Sequence, residues 1–390
     1  MESGDVHSVL QQIMKQFATD TGLTGSGKKS ERYLWTDAFA VCNFLELYNH
    51  TGDRKFLDLT IQLVDQVHNV LGRHRSDDNR RGWISGLNEV EGKKHPTMGG
   101  LRIGKSLNER QSGEPYDSGR EWDRDGQYYH YLTKWMHALN RLGRITNEKK
   151  YNIWAIELAK VAHVRFTYVP AEGGYKRMYW KMSIDLSYPQ VFSMGHHDPL
   201  DGLISYLELQ STADLMADES DPGLHEEIND LHDICKGKDW ATEDPLGLGG
   251  LLFNAFRLVQ VIGMRNSPFK NLLYKILEDV QMGLAYYAKT NHLNLSADYR
   301  LAFRELGLAI GLKGLKSLED IFERNRKSFP HPERYELILQ SLAEYFYLAC
   351  RIEEFWMEKE NQDAPSWMEH MNINRVMLGT CLAPDGFLNV

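Results

Sequence analysis

Apolar residues recur at intervals of three and four along almost all of this 390-residue chain, and that period leaves little but helices for it to form. Over residues 32–48 the apolar positions are Leu34, Phe39, Val41, Cys42, Phe44, Leu45 and Leu47, and the run stops at Asn49-His50-Thr51-Gly52-Asp53. A second run over 55–71 follows, carried by Phe56, Leu57, Leu59, Ile61, Leu63, Val64 and Val67. Two helices joined by a short polar turn fold back on each other as an antiparallel hairpin. The same grammar predicts hairpins from 127–142 with 151–166, 200–215 with 224–235, 246–262 with 269–288, 297–310 with 315–324, and 335–357 with 367–378. Only residues 174–184 alternate with the period of a strand, so a parallel sheet has no material. The expected fold class is all-α. Residues 1–30 read as an N-terminal helix and connector, and residues 31–390 as one helical domain.

Composition narrows the partners. A net charge of -9 without a long basic run argues against nucleic acid. The longest apolar stretch, 246–264, is interrupted by Gly, Asn254, Arg257 and Gln260, and the first residues lack the basic and apolar regions of a signal peptide. No membrane partner and a cytoplasmic location are therefore expected. The four cysteines, Cys42, Cys235, Cys350 and Cys381, are scattered, which reads as free thiols in a reducing compartment. Residues 22–28 almost match a phosphate-binding loop, but Lys29 follows Lys28 where Ser or Thr is needed, and no strand precedes them. No cofactor is indicated, and the sequence is silent on oligomeric state.

The run Tyr33-Leu34-Trp35-Thr36-Asp37-Ala38-Phe39, closed by Leu47-Tyr48-Asn49-His50-Thr51-Gly52-Asp53, resembles the six-hairpin (α/α)6-toroid superfamily. The resemblance extends over most of residues 31–378. It implies an inner ring of helices whose starts surround a pocket, with long loops on one face. It also implies glycoside hydrolysis, unsaturated-uronide hydrolysis, sugar epimerisation or polysaccharide lysis, although the superfamily includes non-catalytic members. No signature of a single family is present. The two long connections, 73–121 and 167–197, each precede a proposed inner helix and are expected on that one face as ordered loops.

Four groups of residues stand at helix starts or in these loops. The densest is Gly119-Arg120-Glu121-Trp122-Asp123-Arg124-Asp125-Gly126-Gln127-Tyr128-Tyr129-His130. It offers carboxylates for proton transfer or nucleophilic attack beside rings that suit the apolar faces of a pyranose. Asp123 and Asp125 are its catalytic candidates; acids that merely favour a helix dipole are the plainer alternative. The second is His196-His197-Asp198-Pro199-Leu200-Asp201, where histidine suits acid–base work near neutral pH. Adjacent histidines do not easily face one ion, and no His-x-x-x-His spacing supports a metal site.

The third group is Trp35 and Asp37, with Glu243 and Asp244, and Asp298 and Arg300, at other helix starts. Asp198-Pro199-Leu200 and Asp244-Pro245-Leu246 are near copies, and Asp followed by Pro is also simply a good way to begin a helix. The fourth is cationic: His95, Arg102, Lys105, Arg110 and Arg120, suited to a substrate carboxylate, sulfate or phosphate.

The leading expectation is a carbohydrate-active enzyme, a glycoside hydrolase acting on a saccharide or uronic-acid-containing glycan. Asp123 or Asp125 would be proton donor or nucleophile, with Asp37, His197 or Asp198 opposite. Trp35, Trp122, Tyr128 and Trp180 would stack on the sugar, and Arg102, Arg120, His196, Asp201 and Asp244 would help bind it. The alternatives are a sugar epimerase using His196 or His197, and a non-catalytic scaffold or glycan-binding module. The expected partner is a small saccharide or oligosaccharide.

Overall fold

The computed structural model describes residues 3–25, 30–216, 223–263 and 269–390. The turns expected at 218–222 and 265–268, and residues 26–28 of the phosphate-loop look-alike, lie outside the described residues. Helices dominate, and every strand is two or three residues long. The chain packs as two compact units, one from Met1–Phe17, Asn49–Gly52 and Gly237–Val390, the other from Ala18–Tyr48 and Asp53–Lys236. Nothing in the composition around Lys236 marks this division, because Gly237 is one polar turn among many.

In the unit containing Asp53–Lys236, helix Tyr129–Thr146 packs against Lys149–Phe166 and Asp198–Met216, and the last of these packs against His225–Cys235. Leu132, Trp135, Leu139 and Leu142 give Tyr129–Thr146 its buried stripe. Each such side chain contributes about 1.5–3 kcal/mol by leaving water. Asn147, in the left-handed region at φ 55, ends that helix, a conformation Asn tolerates better than most residues. Side-chain amides and hydroxyls bridge helices inside the bundle. Asn140 Nδ2 donates to Asn152 Oδ1 at 3.0 Å and to Thr212 Oγ1 at 2.8 Å, tying three helices together.

Both long connections are ordered. Asn88 and Asp117 cap the short helices Glu89–Lys94 and Ser118–Glu121. An antiparallel sheet of Gln127–Tyr128, Lys181–Met182 and Pro189–Val191 ties the residues just before helix Tyr129–Thr146 to the second connection, with Gln127 opposite Met182. A second ribbon pairs Thr167–Tyr168 with Arg177–Met178. The period-two stretch at 174–184 thus forms short strands that position loops.

In the other unit, helix Pro245–Ile262 packs against Ala302–Lys313 and Lys270–Tyr287. Gly249 permits the first contact, since a Cβ there would stand 2.1 Å from the carbonyl oxygen of Gly307. Among the described residues this is the one helix long and apolar enough to cross a membrane, and 67% of the stretch is buried inside the protein. Two of its polar interruptions meet in the core, where Arg257 Nη2 donates to Asn254 Oδ1 at 2.7 Å. Residues 335–357, expected as one helix, are two: Pro332–Ala343 and Phe346–Met357. The break is invisible to periodicity because Leu339, Leu342, Ala349, Ile352 and Trp356 keep the same buried phase across it.

Candidate active site

The near-identical starts at Asp198 and Asp244 have different fates. Asp244 caps helix Pro245–Ile262, accepting from Gly247 N at 3.0 Å, and its other oxygen takes Arg304 Nη1 at 2.6 Å. Asp198 opens helix Asp198–Met216, but its Oδ2 is buried without a hydrogen-bond partner. Gly195 lies against that oxygen so closely that a Cβ would meet it at 2.3 Å. Burial and the neighbouring Asp201 carboxylate, opposed by Lys134, push the Asp198 pKa up to about 8. Asp198 is therefore a protonated acid at neutral pH, the state a proton donor needs.

Three partners surround it. His130, in the first turn of Tyr129–Thr146, places Nδ1 3.7 Å from Asp198 Oδ1. Its side chain keeps 31% of its surface open. The rings of Trp35, Tyr128 and Tyr131 nevertheless enclose it, and that desolvation, with Lys134, brings its pKa down to about 4. One turn further on, Lys134 Nζ donates to Asp201 Oδ2 at 2.9 Å in an ion pair that is nearly buried. His130 with Lys134, and Asp198 with Asp201, are spaced to share a face on their own helices.

Aromatic rings form the wall. Tyr128 stacks on His130 with centroids 5.5 Å apart and on Trp180 at 5.1 Å. Trp35 lies 5.3 Å from Tyr131 and 5.9 Å from Lys134 Nζ. Tyr33 and Tyr131 share a hydroxyl hydrogen bond of 2.7 Å. A carboxyl and an imidazole, both held toward their neutral forms, and an ion pair thus lie beside aromatic rings, of which Trp35 and Tyr128 are buried and Tyr33, Tyr131 and Trp180 half-buried.

Several expected site residues are occupied elsewhere. Asp125 is fully buried, where it accepts from Arg102 Nη1 at 2.5 Å, Arg75 Nη1 at 3.2 Å and Gly104 N at 3.0 Å. Arg102 also donates to the carbonyls of Arg73 and Val70, each at 2.7 Å, so it stitches the long connection together and presents nothing to a ligand. Asp37 is buried with Arg32 at 3.5 Å and accepts from Tyr33 N at 2.9 Å. Burial, offset by Arg32, raises its pKa to about 6, and its contacts anchor the helix start that carries Trp35.

The cationic cluster disperses for the same reason. Glu121 takes Arg110 and Lys181, and His95 takes Glu157. Asp123, Trp122 and Arg120 stand on the exterior, with Trp122 63% exposed. His196 is exposed and tilted against His197, with ring centroids 4.6 Å apart. Of the expected residues, Trp35, Tyr128, Trp180, Asp198 and Asp201 come together. His130 closes the densest run in the sequence, where it carried no role, and Lys134 and Tyr131 lie beyond that run. The legible signal was a His and a Lys one turn apart at a helix start. Among the described residues, no group of three or more His, Cys, Asp or Glu is arranged to hold a metal ion.

No family model and no curated protein sequence matches this chain. Solved structures do. A GH76 α-mannanase from Bacteroides thetaiotaomicron superposes with a TM-score of 0.56 at 9% identity, over 99% of this chain and 97% of that one. The chain has the (α/α)6-toroid fold. A GH76A α-1,6-mannanase from Salegentibacter sp. superposes with a TM-score of 0.50 at 14% identity, over 97% of this chain and 99% of that one. An inactive variant of that mannanase, with two aspartates replaced and α-1,6-mannotetrose bound, also superposes with a TM-score of 0.50. At these identities the likeness concerns the toroid fold, which many chemistries share.

Proposed function

We propose that this protein is a carbohydrate-active enzyme, a glycoside hydrolase in which Asp198 protonates the departing glycosidic oxygen. The supporting observation is the buried Asp198 carboxyl, whose Oδ2 has no hydrogen-bond partner and whose pKa burial raises to about 8, beside His130, an aromatic wall and the ion-paired Asp201. The substrate ring would stack on Trp180, the half-exposed member of the wall, with its leaving oxygen at Asp198 Oδ1. As the bond breaks, the proton passes from Asp198 to that oxygen, and Lys134 stabilises the carboxylate left behind. Asp201 is the nearby carboxylate available to activate water or to attack the anomeric carbon. The GH76 mannanases of similar fold lend support, and the mannotetrose complex favours an α-linked oligosaccharide as the first substrate to try.

One observation favours a second reading, sugar epimerisation. His130 is held neutral beside a protonated Asp198, which together form a base and an acid suited to removing and returning a carbon-bound proton. Incubation with α-1,6-manno-oligosaccharides, other oligosaccharides and free sugars in D2O separates the two. New reducing ends, lost in Asp198→Asn, support hydrolysis. Deuterium incorporated at carbon without new reducing ends, lost in His130→Ala, supports epimerisation. Neither product across the panel would remove both.

A further inference from the structure

A cavity of about 200 Å3 opens within the unit containing Gly237–Val390, between the end of helix Lys270–Tyr287 and the start of Ala302–Lys313. None of its lining residues belongs to the Asp198 cluster. Tyr287 reaches it from a position only 3% exposed, and its hydroxyl has no hydrogen-bond partner. A buried hydroxyl left unsatisfied is uncommon in a folded protein and asks what completes it.

The rest of the cavity is built for a polar ring. Glu243, His292 and Arg304 line it with Tyr287, and Tyr299, 79% exposed, stands among them. Arg304 commits one nitrogen to Asp244 and keeps 38% of its side chain exposed. The Arg300 and Glu305 side chains of the lining hold each other. Arg300 donates through Nε and Nη2 to Glu305, its guanidinium lies 3.6 Å over the Phe355 ring, and Trp356 Nε1 donates to Glu305 Oε2 at 2.8 Å. In the lining the carboxylates of Glu243 and Glu305 balance the guanidiniums of Arg300 and Arg304, which also pair with Glu305 and Asp244, so no surplus positive charge favours an anion. Interleaved donors and acceptors beside an exposed ring suit a neutral polyhydroxylated ligand.

We infer that this cavity binds one neutral sugar ring, with the Tyr287 hydroxyl and Arg304 donating, Glu243 accepting, and Tyr299 stacking at its mouth. The ligand class is shared with the proposed activity, whereas the binding requires no turnover.

Calorimetric titration of the full chain with methyl α-D-mannopyranoside, methyl β-D-glucopyranoside, D-glucuronate and inorganic phosphate tests it. At least one neutral glycoside should bind. Tyr287→Phe should weaken that binding about 3- to 10-fold, the worth of one hydrogen bond, while its melting temperature stays level or rises because a buried unpaired hydroxyl is gone. Glu243→Gln should weaken it too, and Asp198→Asn should leave it intact. The inference is overturned if no neutral glycoside binds, if glucuronate or phosphate binds more tightly, or if Tyr287→Phe binds like the parent. Binding that persists when no saccharide is turned over would reject the proposed activity and leave this site standing.

Discussion

The Nδ1 atom of His130 stands 3.7 Å from Oδ1 of Asp198, and near neutral pH neither group is charged. The geometry is that of an ion pair, but burial keeps the acid protonated and the imidazole deprotonated between about pH 4 and about pH 8. Beside them Lys134 and Asp201 do form an ion pair. Asp198 and Asp201, three residues apart on one helix, thus differ in their surroundings: Lys134 donates to Asp201, whereas burial and the Asp201 carboxylate raise the pKa of Asp198.

The pH dependence of kcat/KM follows from these values. Both readings need neutral Asp198, so activity should fall as pH rises through about 8; the epimerase reading, which also uses His130 as base, adds a fall as His130 takes a proton near pH 4. A pH–rate profile with a plateau across pH 5–7 is expected. An alkaline limb lying below pH 6 would rule out Asp198 as the donor.

Asp198 also costs the fold stability. Its folded pKa of about 8 exceeds the ordinary 3.8, so between those values the folded chain holds a proton the unfolded chain releases. The free energy of unfolding therefore declines as pH rises across that window. Asn has no such proton. Asp198→Asn should gain in melting temperature over the parent as pH rises from 5 to 8.5, while losing about 100-fold or more in activity. Thermal melts at the two pH values check the first part and initial rates the second.

Lys134→Met should break a nearly buried ion pair and leave Asp201 unpaired, costing about 3–5 kcal/mol in denaturant titration. Lys134 also draws the Asp198 pKa down, so the alkaline limb of the surviving activity should move upward. A limb that stays in place would disconnect Lys134 from the acid.

The two acids of the Trp122 segment should separate cleanly. Asp125→Asn removes the charge that Arg102 and Arg75 are built around, and should destabilise the fold by about 3 kcal/mol with earlier proteolysis in residues 73–126. Asp123→Asn, on the exterior, should change stability by less than about 0.5 kcal/mol and leave rates within about 3-fold. Loss of activity in a stably folded Asp123→Asn protein would return catalysis to that segment.

Gly195→Ala should act on the acid alone. The new Cβ would stand 2.3 Å from Asp198 Oδ2, so the carboxyl must move, and kcat should drop more than KM changes. Equal kinetics in the parent and the alanine variant would show that the carboxyl tolerates displacement.

Helical hairpins were legible because their cause is local: side chains three and four apart share a face whatever lies opposite. The same locality hid the break at residues 344–345, since the buried phase runs through it unchanged. Of the site, the aromatic residues and the helix-start acids were visible as types. Their roles were not, because a carboxylate beside an arginine and one beside a glycine look alike in a string of letters. Asp125 reads as catalytic only until Arg102 and Arg75 are seen to close on it.

Asp198-Pro199-Leu200 and Asp244-Pro245-Leu246 mark the limit most clearly. The sequence alone determined that each begins a helix, because capping and the fixed φ of proline act within a few residues. Only the tertiary structure decided that Asp244 spends its charge on Gly247 and Arg304, while Asp198 is enclosed by Gly195 and His130 and stays protonated. Desolvation and Coulomb interaction depend on what other segments bring near, and those neighbours are set by packing.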